Sequence, residues 1–169
     1  PAERQAGQEE ERDEHEAQVT LPAPASPPPP LPAHRPHDLT PAQIEHLIDL
    51  ADPQPDERAL DIATGTGALA VALAQKMRQV IAVDTSPEML EEAEIARIQA
   101  GLDNLHVRWA RPEQLPFLDD SFDLVTCAYG LHHFQDAAAA IREMARVCRP
   151  GGHILIHEPA GDIDPVKRA

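Results

Sequence analysis

Apolar positions along the chain become periodic at residue 39, and from there they alternate between two spacings. In LTPAQIEHLIDLA, residues 39–51, Ile44, Leu47, Ile48 and Ala51 fall on one face of a helix. Thr40 caps that helix, Pro41 suits its first position, and Gln43 completes a capping box. The loop DPQPDE ends it, and residues 58–63 read as a strand. After a turn carrying Gly65 and Gly67, residues 68–76 are predicted helical, and QVIAV forms a strand ending at Asp84. Ser86 and Pro87 open a helix over PEMLEEAEIARIQA that Gly101 closes. Leu105, Val107 and Trp109 alternate as a third strand, and FDLVTCA follows the turn LDDS as a fourth. A helix over residues 136–149 carries Ile141, Met144, Ala145 and Cys148 on one stripe. RPGG then reads as a turn and HILIH as the last strand.

Strands alternating with helices through five strands predict an α/β fold: a Rossmann-like, doubly wound parallel sheet covered on both faces. Ligands of such sheets sit beyond the carboxyl ends of the strands, near the point where strand order reverses. Asp61, Gly65, Gly67, Asp84, Arg111 and His132 all lie at or just past such ends, so they are expected to share one crevice.

Composition divides the chain. Residues 1–20 hold seven acidic residues and two arginines with almost no large apolar side chains, a balance that cannot offset the entropy of ordering. Residues 21–41 hold nine prolines, including SPPPPLP, which favours an extended spacer. Residues 1–37 are therefore expected to be a disordered acidic and proline-rich arm, and 38–169 the folded domain. Fourteen basic against 29 acidic residues give a net charge of −15, which disfavours nucleic-acid partners. Cys127 and Cys148 lie in apolar segments, too few and too far apart for a disulfide scaffold or zinc ribbon. No run approaches a membrane span and the N-terminus is unlike a signal peptide, so a cytoplasmic protein without membrane contact is the expectation. His153 and His157 share a strand face, but four residues of strand span about 13 Å, too far to share an ion, and no metal site is predicted.

The glycine turn fits two ligands. GTGALA matches G-x-G-x-x-A between a strand and a helix, with Asp84 near the spacing expected of a ribose-binding acid in a dinucleotide site. Against that reading stands Asp61, four positions before Gly65, where a pyrophosphate gains nothing from a carboxylate and an ammonium does. The stretch DIATGTG resembles motif I of the class I S-adenosylmethionine-dependent methyltransferases. VDTSPEML, LPFLDDSFDLV with GLHHF, and REMARVCRPGG are similar to that family's later blocks in the right order, over roughly residues 38–159. Its nearest likeness is to the small-molecule methyltransferases that include the ubiquinone and menaquinone C-methylating enzymes.

The resemblance implies S-adenosyl-L-methionine as cofactor and a small-molecule methyl acceptor. It implies cofactor contacts from Asp61, Ala63, Gly65, Thr66, Gly67, Asp84, Thr85, Met89, Pro112, Glu113 and Ala128. Asp61 would face the methionine ammonium, Asp84 the ribose hydroxyls, and Met89 the adenine. Tyr129 lies beside the crevice, and His132, rather than His133, is the candidate general base, since histidine ordinarily titrates near 6.5.

Two departures from the pattern carry expectations of their own. Where the family usually reads Asp-Ala-Glu before LPF, this chain has Arg111, Pro112 and Glu113. An arginine side chain accepts nothing and proline donates nothing, so two adenine hydrogen bonds of the family have no counterpart in these two residues, at about one to two orders of magnitude in affinity unless Glu113 replaces them. The chain also starts at Pro1 and stops soon after its fifth strand, where the family has seven, and so reads as a truncated domain. The strand 153–157 is then an apolar edge: either the sequence is a fragment, or a partner or second copy covers the edge, or the domain is poorly stable alone. The runner-up functions are a non-catalytic cofactor-binding remnant serving as a partner or regulatory subunit and, further off, an NAD-linked oxidoreductase.

Overall fold

The computed structural model describes residues 39–158; the arm expected over residues 1–37 lies outside them. The elements in chain order are α1 (Pro41–Ala51), β1 (Arg58–Ile62), α2 (Ala68–Ala74), β2 (Gln79–Asp84), α3 (Pro87–Gln99), β3 (Leu105–Trp109), β4 (Phe122–Ala128), a 3₁₀ turn (Leu131–His133), α4 (Ala137–Val147) and β5 (Cys148–His157). The sheet runs β3-β2-β1-β4-β5 with every pair parallel, so strand order reverses between β1 and β4. This is the doubly wound α/β arrangement that the alternation of spacings implied.

Period-two alternation inside β1 and β2 feeds two cores. Ala59, Val80, Ala82 and Leu124 face the helices α1 and α2, where Leu47, Leu69 and Leu73 meet them. Leu60, Ile62, Ile81, Val83 and Val125 face the other way, against Met144 and Val147 of α4 and the loop residues Ala110 and Leu115. Strands buried on both faces explain the near-continuous apolar runs. Gly67 sets the spacing of α2 and α3: a Cβ there would lie 3.0 Å from the Cβ of Ala93, the one fully buried position of α3.

The capping box of α1 forms as read, with the Gln43 N–H donating to Thr40 Oγ1 at 3.3 Å and the Thr40 N–H to Gln43 Oε1 at 2.8 Å. Several boundaries move. β1 stops at Ile62 because Ala63 turns left-handed at φ 55°, and α2 ends at Ala74, two residues early. α4 ends at Val147 rather than residue 149, because Cys148 is already paired with Phe122 of β4. Its buried stripe is Ala140, Met144 and Val147; Ile141 and Ala145 are exposed, one position off the expected face.

RPGG is a wide bulge within β5 rather than a turn before it. Pairing steps from Phe122↔Cys148 to Leu124↔His153, so Asp123 alone stands opposite residues 149–152. Glycine is required there: a Cβ on Gly152 would lie 2.7 Å from the Asp123 carbonyl oxygen. β5 is the sheet edge, and Ile154 and Ile156 are 42% and 38% exposed on it.

Candidate functional site

β1 delivers Asp61 to the carboxyl end of the sheet, in register with Ala82 on one side and Thr126 on the other. Its side chain is 2% exposed and both oxygens are held by hydroxyls: Thr126 Oγ1 donates to Oδ1 at 2.6 Å and Thr64 Oγ1 to Oδ2 at 2.7 Å. Burial lifts this carboxyl to about 6; the two hydroxyl bonds pull against that lift and the nearby charge of Asp84 adds to it. Asp61 is thus a closed-in acid, each of whose oxygens accepts a threonine hydroxyl.

Asp84, the last residue of β2, joins two turns. Its Oδ2 accepts the Gly65 N–H at 2.9 Å, and its Oδ1 accepts the N–H groups of Thr85 at 2.7 Å and Ser86 at 2.9 Å. One carboxylate therefore locks the glycine turn after β1 to the start of α3, where Ser86 caps by accepting the Met89 N–H at 3.3 Å. Trp109 closes the far side, its Nε1–H donating to the Thr85 carbonyl at 3.1 Å. Gly65 and Gly67 take φ of 56° and 83°, so this turn needs glycine at both positions. Thr66 sits half-buried between them, and Met89 is half-buried in the first turn of α3.

The loop after β4 meets the loop after β1. A Cβ on Gly130 would stand 2.5 Å from the Cβ of Ala63 and 2.8 Å from Cys127 Sγ, so the two loops touch through a residue with no side chain. Tyr129, also left-handed at φ 56°, follows the half-buried Ala128; its hydroxyl accepts from Gln43 Nε2 at 2.5 Å, which brings the start of α1 over the β4 end. His132 lies in the 3₁₀ turn rather than an open loop, with Nδ1 2.5 Å from Glu158 Oε2. The other oxygen of Glu158 accepts the Leu131 N–H at 2.7 Å.

Glu113 is tied to the β4–α4 connection: its Oε1 accepts the Gln135 N–H at 3.2 Å, and its Oε2 is 3.9 Å from Arg111 Nε. Pro112 is buried between them, and Arg111 contributes its carbonyl to the Gln114 N–H at 3.1 Å. The loop that follows is held by α4. Arg146 donates to the carbonyls of Phe117 and Leu115 at 2.7 and 3.0 Å and to Asp119 at 2.8 Å, while Glu143 accepts the Leu115 N–H at 2.7 Å. This accounts physically for the pairing of LPFLDD with REMAR along the chain.

Thr64, Thr126, Gly130 and Glu158 were not singled out from the sequence. Thr126 becomes visible only once the β1–β4 register is known, and Glu158 is 26 positions from the histidine it holds. Among the described residues no group of His, Cys, Asp or Glu is placed to hold a metal, and no helix is long and apolar enough to cross a membrane. Cys127 and Cys148 are both free and buried, and burial pushes both thiols up.

The geometry has known counterparts. The chain is 38% identical to the uncharacterized methyltransferase YcgJ of Bacillus subtilis over 71% of its own length and 47% of that protein's. The crystal structure of YcgJ superposes with a TM-score of 0.69, covering 73% of this chain and 53% of that one. It is 41% identical to a demethylmenaquinone methyltransferase of Deinococcus radiodurans over 60% of this chain and 42% of that one. A structure described as an S-adenosyl-L-methionine-dependent methyltransferase from Methanococcus maripaludis matches at 28% identity and a TM-score of 0.61, over 67% of this chain and 52% of that one. The chain spans about half the length of the relatives it matches. Residues 60–156, more than half of the chain, match the model of the methyltransferase domain, and the chain belongs to that family.

Proposed function

We propose that this domain binds S-adenosyl-L-methionine at the carboxyl ends of β1, β2 and β4 and transfers its methyl group to a small molecule in the cytoplasm. The observation that carries the reading is the Asp84–Gly65 bond, which draws an acid at the end of β2 and the glycine turn after β1 into one crevice, with buried Asp61 beneath. The donor set fits the cofactor's chemistry. Asp84 keeps one lone-pair site, on Oδ2, for a ribose hydroxyl after accepting its three backbone bonds. Asp61 supplies negative charge for an ammonium, and the turn at Ala63, Gly65, Thr66 and Gly67 lets backbone come close. Thr85, Met89, Pro112, Glu113 and Ala128 are assigned to the walls around the nucleoside. Bound there, S-adenosylmethionine supplies an electrophilic methyl on a sulfonium.

The chain's own part is to orient the acceptor and to exclude water, since aligning nucleophile and methyl supplies much of the acceleration in such displacements. His132, on the loop that touches the glycine turn through Gly130, is assigned to take a proton from the acceptor. Relatives named demethylmenaquinone methyltransferase make reduced demethylmenaquinone the first acceptor to try. The test is transfer of a labelled methyl group from S-adenosylmethionine to that quinol by the full chain. Label in the quinol is the expected result. Tight cofactor binding without transfer to this or any other small hydroxylated or enolic acceptor would favour a non-catalytic binding subunit.

A further inference from the structure

The bond between His132 and Glu158 spans two strands of the sheet and has a directional consequence. Both oxygens of Glu158 are engaged: Oε1 accepts the Leu131 N–H at 2.7 Å, and Oε2 lies 2.5 Å from His132 Nδ1. A carboxylate only accepts, so with Glu158 as the carboxylate Nδ1 is the donor and carries the proton in this contact. In the neutral ring Nε2 is then left as the free acceptor, on the opposite side of the imidazole. The side chains of His132 and Glu158 are 39% and 26% exposed, so the pair is reachable rather than sealed in the core. The Leu131 bond matters as much as the histidine bond. It anchors the carboxylate to the same 3₁₀ turn that carries His132, so the acid and the base cannot drift apart.

We propose that Glu158 is a positioning residue that fixes His132 as the Nδ1–H tautomer, leaving Nε2 as the proton acceptor for methyl transfer. The inference rests on the proposed methyl transfer and narrows its acceptor to compounds that must lose a proton as they react: a phenol or enol, attacking through oxygen or through the carbon beside it. The acceptor's O–H or C–H bond breaks and its electron pair stays on the acceptor to form the bond to the methyl carbon. The pair of the methyl–sulfur bond goes to sulfur, which becomes a neutral thioether. The proton passes to Nε2, with the Nδ1–H still held by Glu158, and leaves to water. A thiolate or an amine already free of its proton would not need this pair.

Glu158→Gln provides a test that keeps the shape. The Leu131 N–H still needs an acceptor, so the amide oxygen turns toward it and the amide NH₂ donates to His132 Nδ1. The tautomer inverts and Nε2 gains the proton. Imidazole nitrogen NMR of the full chain, with and without S-adenosylhomocysteine, reads the tautomer directly and does not depend on turnover. The expected result is Nδ1–H in the wild type and Nε2–H in Glu158→Gln. S-adenosylhomocysteine affinity should change by less than about twofold. Methyl transfer to reduced demethylmenaquinone should fall at least about 100-fold in kcat with little change in KM, the size typical of removing a general base. The same tautomer in both proteins, or an inverted tautomer with kcat within about threefold of wild type, overturns the proposal. Wild-type failure to transfer methyl to the quinol, with S-adenosylhomocysteine still bound, counts against that acceptor; the tautomer measurement alone then decides the role of Glu158.

Discussion

The two ends of the sheet are built from opposite kinds of electrostatics. At the amino end, charges are paired with their opposites. The Asp123 carboxylate accepts the Arg58 N–H at 2.7 Å and an ion pair from Arg149, which also reaches Glu57 at 3.8 Å. Those contacts hold the Asp123 carboxyl below its usual range despite its partial burial. At the carboxyl end, Asp61 and Asp84 sit near one another and accept from hydroxyls and backbone N–H groups; burial pushes Asp61 up, with a smaller addition from Asp84, against the pull of its two hydroxyl bonds. The backbone differs in the same direction. Ala63 and Tyr129, ending neighbouring strands β1 and β4, are both left-handed, a conformation that costs a residue with a Cβ about 1–2 kcal/mol. One end ties Asp123 to two arginines across the sheet; at the other the two aspartates of β1 and β2 accept from neutral donors, beside two strained residues.

Four substitutions break or sharpen this contrast. The largest effect belongs to Asp84→Ala, which removes the acceptor of three backbone N–H groups and the proposed ribose partner together. S-adenosylhomocysteine affinity should fall at least about 100-fold, or about 3 kcal/mol, by calorimetry. An unchanged affinity would remove the ribose role assigned to Asp84.

Next in size is Asp61→Asn, whose effect has a sign set by the raised value. An unfolded aspartate ionises near 3.9, whereas in the fold Asp61 holds its proton up to about 6. Between those values the unfolded chain has released the proton and the folded chain has not, so stability falls as pH rises through the window, and the full cost is present above it. Two units correspond to about 3 kcal/mol at most. Asp61→Asn should therefore melt higher than wild type at pH 7, with the advantage shrinking toward pH 5, and should bind S-adenosylhomocysteine more weakly. A variant that melts lower at pH 7 would show that the acid stabilises its surroundings instead.

At the opposite end, Asp123→Ala should cost about 1–2 kcal/mol of stability by leaving the Arg58 N–H and the Arg149 guanidinium without their acceptor. Its S-adenosylhomocysteine affinity should match the wild type, and a loss of affinity would mean that the two ends are coupled. The smallest effect is expected of Ala63→Gly. Relief of the left-handed alanine offsets the extra freedom of the unfolded glycine, for a net gain of about 0.5–1 kcal/mol in chemical denaturation. A loss would mean that the Ala63 methyl, packed where Gly130 approaches, is worth more than the strain.

How much of this was legible beforehand follows the range of the forces involved. Local signals were sufficient for the helix starts: Thr40 with Gln43 and Ser86 with Pro87 cap α1 and α3 as read. They failed where a distant strand decided the outcome. Cys148 leaves α4 because Phe122 pairs with it, and residues 149–152 bulge because Gly152 must clear the Asp123 carbonyl. The site divides in the same way. Asp61 and the glycines were readable as one turn, and Asp84 by its place at the end of the next strand. Thr126, Gly130 and Glu158 join through the β1–β4 register and the β4–β5 crossover, where spacing along the chain carries no signal. The buried state of Asp61 was also hidden, since sequence places an acid at a strand end without saying that two hydroxyls will enclose it.

The most direct test is a calorimetric titration of the full chain with S-adenosylmethionine, S-adenosylhomocysteine and NAD in turn. The two S-adenosyl ligands should each bind at a single site with NAD silent, because the carboxyl end offers two acids and a tight glycine turn to a cationic nucleoside. Heat from NAD alone, or from none of the three, would contradict that assignment.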